Sequence, residues 1–262
     1  MPASTIEEVL SQLQEIIDSS EKSDDRIGYF ASLYYKVTSQ VRDGITQNKF
    51  EDGPRMATLD VIFANRYLAA MEQWKKNQPL TNAWKIALEA TRSRRTLVLQ
   101  HLLLGINAHI NLDLGIAAVE TMQSGQIEDI HNDFNSINTI IGSLTYEVIH
   151  DINQVSPLIS LIGLHSGNNE SLLVQFSISN ARDGAWCFAE DLSKRTGTDY
   201  SNGISARDAD IAKLADTLVR SRGVIRFTLW IIHLFEWKNV RKVIALLNGG
   251  KKVFMRAVDL PE

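Results

Sequence analysis

The stretch QHLLLGINAHINLDLGIAAVE, from Gln100 to Glu120, is apolar on nearly every side of a helix, yet two histidines, two asparagines and an aspartate interrupt it. A helix that is hydrophobic all round belongs in the interior of a protein. Its polar side chains must then be hydrogen-bonded, paired or bound to a ligand, because each unsatisfied buried group costs a few kcal/mol. The sequence therefore predicts a buried central helix, over about residues 92–122, that contributes polar groups to an internal pocket.

Helical periodicity recurs on both sides of this stretch. Apolar residues return every three or four positions, and the chain has only five prolines and few alternating runs that would form a sheet. No repeat, low-complexity tract or clear linker divides the 262 residues. We therefore expect an all-α fold, a single-domain multi-helix bundle over residues 1–262.

Two further expectations concern the C-terminal third of the chain. The stretch RTGTDYSNGIS, residues 195–205, is rich in glycine, serine and asparagine and is expected to be a loop. A single last helix is expected over about residues 224–247.

Composition and charge limit the classes of partner. The net charge of -4 and the pI near 5.9 provide no basic surface, so we expect no nucleic-acid partner. The longest apolar run, Phe227 to Phe235, is far shorter than the ~20 residues of a membrane span. The N-terminus lacks the basic and apolar regions of a signal peptide, and we expect a cytoplasmic protein. A single cysteine, Cys187, excludes an internal disulfide and a cysteine zinc cluster, and it is expected to be buried.

The predicted metal ligands are His101, His109 and Asp113, which share one third of the surface of the central helix at 100° per residue. His109 and Asp113 lie one turn apart, a spacing that suits shared coordination of a divalent metal. Imidazole with carboxylate suits zinc, iron or manganese. Gly105 lies on the same face, where it costs about 1 kcal/mol relative to alanine and leaves a gap that a ligand or another helix could enter.

Five further polar residues complete the predicted site. Asn107 and Asn111 lie on another side of the central helix and are predicted to bind a cofactor or ligand. Asp133 and Asp60 each lie within the apolar face of a helix, where an aspartate is rarely present for solubility. Arg182 is a plausible partner for a buried carboxylate. We predict that Asp133, Asp60 and Arg182 are catalytic, with Asp133 as a general base.

Several blocks of the sequence also carry a family resemblance. FEDGPRMATLDVIFANRYL, VLQHLLLGINAHINLDLGIA, DFNSIN and ARDGAW together resemble a family of uncharacterised bacterial all-helical proteins, a domain of unknown function. The resemblance covers about Phe50 to Ala189. It implies that these blocks belong to one domain, and it implies no activity.

Three hypotheses on function follow. The first is a metal-dependent enzyme, a hydrolase or lyase, that acts on a small molecule. The second is a metal-free protein that binds a small ligand. The third is a structural helical protein whose polar cluster only specifies packing. A homo-oligomer is compatible with all three, because the stretch FTLWIIHLFEWKNVRKVIALL suits a core or a dimer interface equally well.

Overall fold

The structure, a computed structural model, describes residues 1–123, 125–164, 178–221 and 223–249. These residues form helices joined by turns, without a β-strand among them, which confirms the predicted all-α fold. The helices are α1 (Ile6–Ser23), α2 (Ile27–Thr46), α3 (Gly53–Lys75), α4 (Asn82–Thr91), α5 (Val98–Ala108), α6 (Gly115–Thr121), α7 (His131–Val155), α8 (Leu161–Leu164), α9 (Ile178–Ser193), α10 (Gly197–Val219), α11 (Gly223–Phe235) and α12 (Val240–Leu247). A π-helical turn, His109–Leu114, joins α5 to α6, and a 3-10 turn, Ile127–Ile130, precedes α7.

The central helix is the continuous segment Val98–Thr121, made of α5, the π-helical turn and α6. Helices α2, α4 and α10 pack against α5, while α3 and α9 pack against α6. Within the described residues this segment alone is long and apolar enough to cross a membrane, and 89% of its apolar window is buried inside the protein. It is therefore a core helix, as the sequence predicts.

Four expectations on local structure need correction. The central helix begins at Val98, because residues 92–97 form a turn. Most of the expected loop over residues 195–205 is helical: α10 begins at Gly197, and the buried Gly203 lets the end of α9 pack against it. The expected last helix breaks between Phe235 and Val240. Cys187 is exposed, because Ala185 and Ala189 turn the opposite side of α9 toward the core.

Two glycines of the central segment allow a close approach of other helices. A Cβ added at Gly105 would lie 2.4 Å from Cδ2 of the Phe30 ring, which α2 presses against the helix backbone. A Cβ at Gly115 would lie 2.8 Å from the carbonyl oxygen of Ala185 on α9. The gap expected at Gly105 is therefore filled by an aromatic side chain of the protein itself.

Helix α11 enters the core on one side only. Thr228 and Ile232 are buried, whereas Phe227, Trp230 and Leu234 on the opposite side are more than half exposed. One face of α11 thus serves the core, as one of the two expectations has it, and the other face lies at the surface.

We expect Gly105→Ala to lower the free energy of unfolding by about 1–3 kcal/mol, the usual cost of overfilling a packed core. The new methyl group has to displace the Phe30 ring, and the higher helix propensity of alanine returns at most about 1 kcal/mol. Urea-induced unfolding measures the change.

Gly142→Ala in α7 is the matched control, because its Cβ would meet no atom within 4 Å. Its stability should equal or exceed that of the wild type. Equal unfolding midpoints for Gly105→Ala and the wild type would contradict the contact between Gly105 and Phe30.

Candidate functional site

Asp113 is buried and fully engaged by neighbouring helices. Its Oδ1 accepts a hydrogen bond from Nε of Arg66 at 2.9 Å, and its Oδ2 accepts one from the indole Nε1 of Trp84 at 2.8 Å. Nδ1 of His109 lies 3.5 Å from Oδ2. These contacts join the central segment to α3 and α4. The carboxylate predicted as a metal ligand is therefore occupied by protein donors.

Asp133 is likewise bound on all sides. Its two oxygens accept hydrogen bonds from the backbone N–H groups of Glu51 and Asp52 at 2.6 and 3.0 Å, and from Nη2 of Arg55 at 3.1 Å. The side chain is 0% exposed. Asp133 thus fixes the turn that leads into α3, and it is poorly placed to act as the predicted general base.

Asn107 and Asn111 attach α10 to the central segment. Nδ2 of Asn107 donates to the carbonyl of Ile211 at 3.0 Å, and Nδ2 of Asn111 donates to Oδ1 of Asn107 at 3.0 Å. Nε of Arg207 donates to the carbonyl of Asn111 at 2.9 Å. These bonds use the amide groups that the sequence suggests for a cofactor or ligand.

His101 and His109 are both buried but face different surroundings. The Phe30 ring lies against Gly105, between the two histidines on the helix surface, so the structure does not bring them to one site. Burial lowers the pKa of His101 to about 3 and also lowers that of His109, although Asp113 partly opposes the second shift. Both imidazoles are therefore neutral near pH 7.

His109 belongs to an aromatic cluster. Its ring stacks on that of Phe63, with centroids 3.6 Å apart and planes 6° from parallel, and the Tyr34 ring meets it edge-on at 4.4 Å. Its Nε2 atom has no hydrogen-bond partner in the described part of the chain. His109 thus lies between the hydrogen-bonded Asp113 on one side and the Phe63 ring on the other.

The predicted ligand set does not fit a metal ion. Within residues 1–123, 125–164, 178–221 and 223–249, no group of three histidine, cysteine, aspartate or glutamate side chains lies close enough to hold one. Of the three predicted ligands, Asp113 is taken by Arg66 and Trp84, and the two histidines lie on either side of Phe30.

A cavity of about 470 Å³ lies between α2, α3, α5 and α7. The exposed residues Gly142 and Ile149 of α7 also line it, so it reaches the surface along that helix. His109 and Tyr34 contribute to its wall. The remaining wall is mostly apolar and includes Leu33, Val37, Leu102, Leu103, Leu144 and Val148.

Asp60 lines this cavity without an ion pair in the described part of the chain. It is 7% exposed, and its Oδ2 atom makes no hydrogen bond within the described residues. Burial raises the pKa of Asp60 to about 7. Burial, and then the negative charge of Asp60, also raise the pKa of Tyr34 well above its usual value. The prediction that Asp60 points inward is confirmed, and it brings a titratable carboxyl to the cavity.

Arg182 lines the same cavity and is 3% exposed. Its Nη2 donates to the carbonyl of Phe134, and its guanidinium lies 4.4 Å from the centroid of the Phe134 ring. Within the described residues, Nε of Arg182 has no hydrogen-bond partner, and the guanidinium forms no ion pair with Asp60 or with another carboxylate. Burial lowers the pKa of Arg182 to about 10, which leaves it charged at neutral pH. The carboxylate partner expected from the sequence is therefore absent from the described residues.

The sequence alone does not identify residues that contact segments far away along the chain. Asp208 of α10 accepts hydrogen bonds from the N–H groups of Asn82 and Ala83 at 2.7 and 2.9 Å, and so caps α4. Tyr34 and Phe63, which surround His109, look like ordinary core aromatics in the sequence. Their helical angles indicate an inward direction, but no sequence signal tells which helix they meet.

Residues 6–221 match the model of a family of unknown function, DUF5995. The chain belongs to this family. The match extends beyond both ends of the resemblance noted over Phe50 to Ala189, so it includes α1 to α10, while α11 and α12 follow it. No curated protein and no solved structure matches the chain. The function of this family is unknown.

We expect Asp133→Asn to lower the free energy of unfolding by about 2–3 kcal/mol, because the amide cannot replace a carboxylate that accepts three hydrogen bonds. Asp60→Asn is the matched variant, because it replaces a buried aspartate that has no ion pair among the described residues, and it should keep or gain stability at neutral pH. Urea unfolding at neutral pH measures both. Equal losses for the two variants would show that Asp60 has a partner that the structure does not place.

The raised pKa of Asp60 also makes stability depend on pH. Between about pH 4 and about pH 7 the folded state keeps a proton that the unfolded state has released, so the carboxyl lowers stability as the pH rises. The slope is at most about 1.4 kcal/mol per pH unit, and it levels off above the folded-state pKa. The lowered pKa values of His101 and His109 act in the opposite sense below about pH 6.5.

Asp60→Asn removes only the contribution of the carboxyl. We expect the stability of this variant relative to wild type to increase from about pH 4 to about pH 7 and then to stay constant. Urea titrations at a series of pH values measure the difference. A difference that does not vary with pH would contradict the unpaired burial of Asp60.

Proposed function

We propose that the protein binds a small, largely apolar molecule that bears a polar group, in the cavity between α2, α3, α5 and α7. One observation supports this most strongly: an apolar cavity of about 470 Å³ is lined by two charged side chains, Asp60 and Arg182, that have no ionic partner among the described residues. Sites for small molecules in proteins have this composition, with mostly apolar walls and a few polar groups that fix orientation.

A purely structural role fits other polar residues better than these two. Asp113, Asp133 and Asn107 each hold a neighbouring element through hydrogen bonds. Among the described residues, the Asp60 carboxyl forms no ion pair, and Arg182 makes a single hydrogen bond, to a neutral carbonyl. A buried charge without a partner lowers stability and does not fix the position of a neighbouring helix. Asp60 and Arg182 therefore favour a bound ligand over a role in packing alone.

The metal-dependent enzyme is the less favoured hypothesis, because its three predicted ligands do not converge within the described residues. An enzyme that uses acid–base chemistry without a metal is a second candidate. It is favoured by Asp60, whose pKa of about 7 suits a group that gives and takes protons near neutral pH. Mass spectrometry of compounds extracted from wild type and from Asp60→Asn distinguishes the two. An enzyme would leave different compounds in the two proteins, whereas a binding protein would leave the same ones.

The binding proposal is tested with Nile red, an uncharged dye whose emission shifts to the blue in apolar surroundings. We expect saturable binding to one site of the wild type. Gly142→Trp should weaken it by about tenfold or more, since Gly142 lines the cavity and its Cβ would meet open space.

Gln154→Trp is the control for this experiment, because it adds the same side chain to an exposed position of α7 that does not line the cavity. It should bind the dye as the wild type does. The proposal would be overturned by a wild type without saturable binding, or by equal dye affinities for Gly142→Trp and the wild type.

A further inference from the structure

Among the described residues, two charged side chains line the cavity, Asp60 and Arg182. Of these, Arg182 keeps its charge at neutral pH. Asp60 is a carboxyl whose pKa lies near neutrality, so it becomes uncharged at little cost. The guanidinium of Arg182 stays protonated, since burial lowers its pKa only to about 10. Arg182 is thus a permanent buried cation, and its charge is what a ligand would have to compensate.

We propose that the ligand is an apolar monocarboxylate, whose carboxylate pairs with Arg182 and whose hydrocarbon part fills the cavity. This inference rests on the proposed binding function and adds the chemical class of the ligand to it.

The geometry around Arg182 leaves hydrogen-bond donors for such an anion. A guanidinium has five N–H groups, and within the described residues Arg182 makes one hydrogen bond, from Nη2 to the Phe134 carbonyl. The Phe134 ring covers a face of the guanidinium at 4.4 Å, and Nε has no hydrogen-bond partner among the described residues. The planar edge of a guanidinium matches the two oxygens of a carboxylate. Asp183, the next residue, is exposed; its negative charge favours the charged form of Arg182 and opposes the effect of burial on the Arg182 pKa.

The rest of the cavity suits a hydrocarbon chain. Leu102 and Leu103 from α5 and Leu144 and Val148 from α7 line it, and none of them offers a polar atom. A carboxylate ligand would leave Asp60 protonated and neutral. An amine would pair with Asp60 instead, but it would bring a second positive charge into the cavity that already holds Arg182. The charges therefore favour an anion over a cation.

The test compares decanoate, decanol and decylamine, which share one chain and differ in the polar group. Displacement of Nile red from the full-length protein at neutral pH measures their relative affinities, with each compound kept below its aggregation concentration. We expect decanoate to displace the dye at a concentration at least about tenfold lower than decanol, with decylamine the weakest of the three.

Two variants assign this preference to Arg182. Arg182→Met removes the charge and keeps an apolar side chain, so decanoate and decanol should then bind equally, with decanol unchanged from wild type. Arg182→Lys keeps the charge without the planar edge and should retain part of the preference. Replacing a buried cation that has no salt bridge among the described residues by an apolar side chain is not expected to unfold the protein. Should Arg182→Met nevertheless fail to fold, the wild-type comparison and Arg182→Lys still decide the question.

The outcomes separate the ligand class from the binding function. Equal displacement by decanoate and decanol in wild type, a preference for decylamine, or a preference for decanoate that survives in Arg182→Met would each overturn the carboxylate assignment while binding stands. A wild type that binds neither Nile red nor any of the three compounds would instead overturn the proposed function itself.

Discussion

The hydrogen bonds of Asp113 and Asn107, on the buried segment Val98–Thr121, determine how the neighbouring helices are arranged. Asp113 binds Arg66 of α3 and Trp84 of α4, and Asn107 binds a carbonyl of α10. The apolar residues of the segment supply most of the burial, but they would accept neighbours in many positions. The polar contacts specify which helix lies on which side.

The cavity begins where this pairing ends. On one side of His109, the Asp113 carboxylate is tied to two other helices, and on the other side the stacked Phe63 ring leads into the apolar cavity. Asp60 and Arg182 lie along that cavity without ionic partners in the described chain. Proteins leave few buried polar groups unsatisfied, and two such charged residues in one cavity set it apart from the rest of the core.

The sequence predicts which side chains are buried more reliably than it predicts what they contact. The buried central helix, the inward position of Asp60 and the burial of Asp133 all follow from helical angles, and the structure confirms them. The partners of Asp133 lie about 80 positions away in the chain, as backbone groups of a turn. An angle on one helix does not encode which distant segment faces it, so the predicted roles as metal ligand or general base rested on chemistry alone.

The assumption of a regular helix accounts for another part of the discrepancy. The angles assigned to the central helix use 100° for every residue, whereas the turn His109–Leu114 is π-helical. Its wider turn rotates the residues that follow relative to those before it. The sequence predicts a close approach at Gly105, but it does not distinguish a ligand from the Phe30 ring that fills the space.

The π-helical turn has a consequence for how members of the family differ in length. Such a turn holds one residue more than an α-helical turn. Deleting a residue within His109–Leu114 therefore converts it into regular α-helix and leaves the segment Val98–Thr121 continuous. The residues beyond the deletion then keep their faces relative to α5, because six π-helical residues turn the chain through about the same angle as five α-helical residues. A deletion within the regular helix α5 would instead rotate the residues beyond it by about 100° and turn Asp113 away from Trp84. A relative that is one residue shorter within His109–Leu114 can therefore keep the cavity, whereas one that is shorter within α5 cannot.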